Sequence, residues 1–224
     1  MFWSLPRNIC DKLRDMDRYF STEMPGLLFA RNTLIASVLG LVPLLILYIA
    51  LSPGFAAHLA GGGPALTRFL RQVLTNGLPV VFAVNYVGFF VFAAIMDKPT
   101  AARSYRMLIA VDLPLRVAVF VLLHAVIYVL SADWFGSFGG SRATALRVVA
   151  PTLARSALFG NISGVYLYAT LLAALPVYAT VFNTIWPRAA AHRDRGHNLR
   201  PWLAAALTCA AFALAITIVA RLFL

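Results

Sequence analysis

The chain has 224 residues, of which 61% are hydrophobic and only 12% charged, with a mean hydropathy of +0.81. Soluble domains are about a quarter charged, so a water-soluble globule is excluded and lipid is the expected solvent. The formal net charge of +11 comes mostly from residues between apolar runs, which points to topology setting and to anionic headgroups as partners, and excludes a nucleic-acid-binding module.

The first 30 residues are charged and lack an early apolar run, so no cleavable signal peptide is expected and insertion falls to the first spanning helix. Within them Ile9, Leu13, Met16 and Phe20 recur at helical spacing, while Asp11, Arg14, Asp15 and Arg18 take other faces. That spacing predicts a cytoplasmic amphipathic helix over 8–23, with Phe2, Trp3 and Leu5 anchoring it at the membrane surface.

A bilayer core needs about 20 apolar residues of helix. Five stretches qualify, over 34–51, 77–96, 108–130, 157–185 and 202–224. The expected fold class is all-α: an N-terminal segment (1–32) followed by a polytopic five-helix transmembrane domain (33–224) with amphipathic interfacial helices. The first and third loops each pair a glycine cluster (Gly61-Gly62-Gly63; Gly139-Gly140) with a short amphipathic stretch, Leu66, Phe69, Leu70 and Val73 in one and Leu146, Val149 and Leu153 in the other. Both read as interfacial or re-entrant segments.

Orientation follows from the basic residues outside the spans. With the N-terminus inside, the inner side carries twelve Lys and Arg, including Arg31, Lys98 and Arg193; the outer side carries five, plus Arg221 near the C-terminus. The topology is therefore N-in and C-out, in the cell (inner) membrane. Trp186 and Trp202, each beside a proline and an arginine, bracket the fourth loop at headgroup level.

Aligning Arg71 with Arg147 brings Asn85 onto Asn161, Gly88 onto Gly164 and Ala93 onto Ala169 without a gap. The pattern suggests two related helical hairpins plus a fifth helix, the parallel kind of repeat known in some transporters.

The third span carries Asp112, Pro114, Arg116 and His124. Spacings of four and eight put Asp112, Arg116 and His124 on one broad face. Charges inside a membrane are costly and face protein or water, so these three, with Asn85 and Asn161, are the candidate site residues. Two readings stand: a polar pathway for a solute, or an interhelical network that holds the bundle. In the second reading Arg116 either pairs with Asp112 or reaches for the interface. Pro43, Pro79, Pro114 and Pro176 interrupt four spans. The fifth span is rich in alanine, with Ala206/Ala210 and Ala211/Ala215 four apart, and reads as a packing helix.

Asp112 is the one carboxylate of eight within a predicted span, so a carboxylate pair for acid–base or metal chemistry is not expected. Cys10 and Cys209 form no metal or redox motif, no P-loop, H-E-x-x-H or G-x-S-x-G run occurs, and nothing points to a particular cofactor. The sequence thus reads as a non-enzymatic subunit of a membrane complex or a self-associating protein, partnered by other membrane subunits or further copies, with a small channel or permease as the alternative. A topology reporter fused after Leu224 should be active only on the outer side. Activity on the cytoplasmic side overturns the orientation.

Overall fold

The computed structural model describes residues 19–96, 105–136, 162–185 and 199–223. Among these, nearly every residue is helical and there is no strand. Seven α-helices follow in order: α1 (Gly26–Leu51), α2 (Phe55–Ala60), α3 (Pro64–Gln72), α4 (Leu78–Met96), α5 (Tyr105–Gly136), α6 (Ile162–Ile185) and α7 (Arg200–Phe223). Five segments are long and apolar enough to cross a membrane: Gly26–Leu51, Pro64–Met96, Leu108–Ile127, Ile162–Phe182 and Arg200–Val219.

The boundaries differ from the apolar runs in instructive ways. Helix α1 starts at Gly26, two turns before the run at 34, because Pro25 directly precedes it with φ −53° and ψ 131°, an extended backbone that begins a helix rather than continuing one. Arg31 and Asn32 therefore sit on the helix. The second span begins earlier than the run at 77, because α3 and a π-helical turn over Val73–Gly77 lead directly into α4. Pro79 has no N–H to donate to the carbonyl four residues back, and a π turn is a common way for a helix to absorb such a defect. Gly62 and Gly63 adopt positive φ (69° and 65°), which lets the chain reverse between α2 and α3, and α3 then carries Arg68 and Arg71 on exposed positions.

The helix expected over 8–23 does not extend through its last residues. Residues 19–25 form turns, and the remainder of that stretch lies outside the described residues. Phe20 packs into the bundle instead of lying on a surface. Its ring stacks on Phe89 at 4.1 Å between centroids and meets Phe29 edge-on at 5.6 Å. Aromatic burial of this kind outweighs a local helical preference.

Helix α6 is the axis of the fold. It packs against α1, α4, α5 and α7, while α4 also touches α1 and α5. Helix α7 sits outside, docked chiefly on α6 through buried Ala205 and half-buried Cys209 and Phe212, with Tyr168 and Thr217 hydroxyls 3.1 Å apart. Two apolar clusters fill the interior. One gathers Phe29, Phe89, Phe92, Leu108 and Tyr178; the other gathers Leu41, Val81, Val84, Phe120 and Val165. The outer faces are also apolar, with Leu39, Leu122, Leu207 and Leu222 each more than 60% exposed, as lipid-facing helices require.

Gly40 sets the spacing of α1 and α6. A Cβ at residue 40 would stand 2.6 Å from the Ala169 carbonyl oxygen and 2.8 Å from the Ala173 nitrogen, so the two backbones touch there. Gly40→Leu should force these helices apart and lower stability by about 1–3 kcal/mol, the usual cost of overpacking. A reduced thermal midpoint in detergent checks it; an unchanged midpoint contradicts the contact.

Candidate functional site

Asp112 and Arg116 are one turn apart on α5, so their side chains meet on the same face. Arg116 Nε donates to Asp112 Oδ2 at 2.7 Å. The Tyr178 hydroxyl of α6 donates to that same oxygen. Arg116 Nη1 donates to Asn85 Oδ1 on α4 at 2.5 Å and to the Thr170 carbonyl on α6 at 3.3 Å. Asn85 Nδ2 then donates to Ser37 Oγ on α1 at 2.9 Å. One polar chain, Ser37–Asn85–Arg116–Asp112–Tyr178, thus joins four of the five spanning segments.

Every side chain in that chain is sealed. Arg116, Asn85, Ser37 and Tyr178 are 0% exposed and Asp112 is 3% exposed. Apolar groups close the network on both sides, with Leu108 and Leu113 in one cluster and Phe120 in the other. The Arg116 guanidinium lies 4.6 Å from the Phe89 ring centre, a cation–π contact inside a low-dielectric site. Gly88 provides the space: a Cβ there would stand 2.7 Å from Arg116 Cζ and 2.8 Å from Nη2. Among the described residues Asp112 Oδ1 and Arg116 Nη2 make no hydrogen bond, so the pair carries unmet capacity as well as charge.

The candidate residues separate into groups. Asn85, Asp112 and Arg116 come together. His124 does not join them. It lies two turns further along α5, where Nδ1 is 2.9 Å from the Phe120 carbonyl and its ring centre 4.1 Å from that of Phe120, a contact within one helix. Asn161 lies outside the described residues. Arg116 does not reach for the interface, because its side chain is wholly enclosed and held by three partners.

Ser37, Tyr178 and Phe89 complete the network and were not singled out by sequence. A signal existed for Ser37: Phe29, Thr33, Ser37 and Gly40 fall on one helical face of α1, and all four are buried. Tyr178 had no comparable signal, since a lone tyrosine in an apolar span is ambiguous between core and interface. Among the described residues no group of three or more His, Cys, Asp or Glu is placed to hold a metal.

No protein family, curated protein or solved structure matches this chain.

With the buried charge held this way, removing one partner is costlier than removing both. Arg116→Met should destabilise the bundle by about 3–5 kcal/mol, leaving Asp112 charged and unpaired, and Asp112→Leu should do likewise. The double variant should recover a large part of that loss. Chemical unfolding in mixed micelles measures all three; strict additivity of the single losses would show that the two groups do not act as a pair.

Proposed function

We propose that this protein is a non-enzymatic subunit of a membrane complex, or a homo-oligomer, in the cell (inner) membrane, with its N-terminus cytoplasmic and its C-terminus outside. It acts through helix packing and contacts with other membrane subunits or further copies of itself. The observation that carries this reading is the closure of the polar network. The intramembrane groups Ser37, Asn85, Asp112, Arg116 and Tyr178 are spent on one another at 0–3% exposure. A pathway for solutes needs such groups to face water; here they tie helices together.

The outward face of α7 supports the second half of the proposal. This helix docks chiefly on α6 and leaves Leu203, Leu207, Leu214 and Ile218 exposed, a surface available to another helix. Between apolar helices in lipid the drive to associate is packing rather than the hydrophobic effect, and shape at this face is therefore what a partner reads. The alternative, a small channel or permease with a path around Asp112 and Arg116, requires those residues to open to water in a second state.

Purification in mild detergent followed by mass measurement of the intact assembly tests the proposal. The expected result is a stable assembly larger than one chain, dissociated by Leu207→Trp and Leu214→Trp without a change in the thermal midpoint. A monomer in detergent and in nanodiscs alike contradicts it. Solute flux in proteoliposomes that Asn85→Leu abolishes would favour the channel instead.

A further inference from the structure

A groove of about 810 Å³ runs between α1 and α6, from Pro43 and Leu172 at one end to Arg31, Asn32 and Thr180 at the other. Its origin is the close contact at Gly40. The two helices touch there, and small residues at Ala36 and Ala173 floor the space beside the contact. Leu39 stands at the rim, 68% exposed, so the groove opens sideways where lipid would lie.

The two ends differ in chemistry. Most of the length is lined by apolar side chains. The mouth carries an exposed arginine that donates from Arg31 Nη2 to Asn32 Oδ1 at 3.4 Å; among the described residues it has no carboxylate partner. Asn32 is fixed in turn by donating Nδ2 to the Tyr19 carbonyl at 2.9 Å. An arginine without a carboxylate partner among the described residues, at the end of an apolar slot, suits an occupant with an anionic head and a hydrocarbon tail.

From Arg31 to Pro43 the rise along α1 is about 18 Å, enough for the groove to follow an acyl chain across one leaflet of a hydrocarbon core about 30 Å thick.

We propose that this groove binds one anionic phospholipid, with an acyl chain along the α1–α6 floor and the phosphate on Arg31 beside Asn32. The binding does not depend on what the chain assembles with; it requires only that α1 and α6 span a bilayer. Arginine suits the task because its planar fork meets two phosphate oxygens at once.

Native mass spectrometry of the full chain in detergent, titrated with phosphatidylglycerol and separately with phosphatidylcholine, tests this. The unaltered protein should hold one phosphatidylglycerol about tenfold more tightly than phosphatidylcholine, the scale of one charge-assisted contact. Arg31→Gln should abolish that preference, whereas Arg68→Gln on α3 should preserve it. Ala36→Leu, which fills the floor, should weaken both lipids equally. Should Ala36→Leu lower the thermal midpoint, Leu39→Trp gives the decision in its place, since Leu39 is outside the core. Equal affinity for the two lipids, retention of the preference in Arg31→Gln, no effect of filling the groove, or a dimer that excludes lipid would each overturn the proposal.

Discussion

A permanent positive charge sits in the middle of an apolar bundle, and the positions of α1, α4, α5 and α6 follow from satisfying it. Arginine does not lose its proton in proteins, so Arg116 cannot escape burial by becoming neutral. It must be paired and hydrogen-bonded where it stands. Asp112 supplies the countercharge from the same helix, Asn85 and the Thr170 carbonyl accept further N–H groups, and Tyr178 steadies the carboxylate. Each of those partners belongs to a particular face of a particular helix. A rotation or slide of any one of them would strand a charge.

The apolar packing is arranged to make that solution possible. Gly88 leaves room for the guanidinium, and Phe89, its neighbour on α4, offers a ring face to it. The network lies between two hydrophobic clusters that keep water out. Low dielectric strengthens every bond in the network and penalises every unmet one. Such a site specifies one arrangement of helices more than it adds net stability. Phe20 extends the same logic beyond the spanning segments, because its ring covers Phe29 and Phe89 from the turn before α1.

Outside this centre the helices divide by how much protein they touch. Helix α6 contacts four others and turns Tyr178, Val165 and Ala169 inward; α7 contacts chiefly α6 and leaves most of its large side chains exposed. The fold therefore has a tight interior around α5 and α6 and two looser margins. One margin is the outward face of α7. The other is the slot beside α1, where close contact at Gly40 gives way to a space ending at an arginine.

Much of this was readable from sequence, for a simple reason. Apolar runs of bilayer length mark spanning helices whatever surrounds them, so all five segments, and the departure of α5 from the rest through Asp112 and Arg116, were evident without coordinates. The helix ends were less legible. Pro25 moved one start, a π turn before Pro79 altered another, and Phe20 belongs to turns although its spacing suited a helix. What only the tertiary structure decided is which polar groups meet. Asn85 and Ser37 lie 48 residues apart, and Tyr178 and Asp112 lie 66 apart. In helices that are apolar on every side, periodicity gives no inward face, so the rotation of each helix is set by its few polar and small residues finding one another in space. His124 shares a helix face with Arg116 in the sequence and yet ends in a local contact with Phe120, because facing the same way along one helix does not put two groups against the same neighbours.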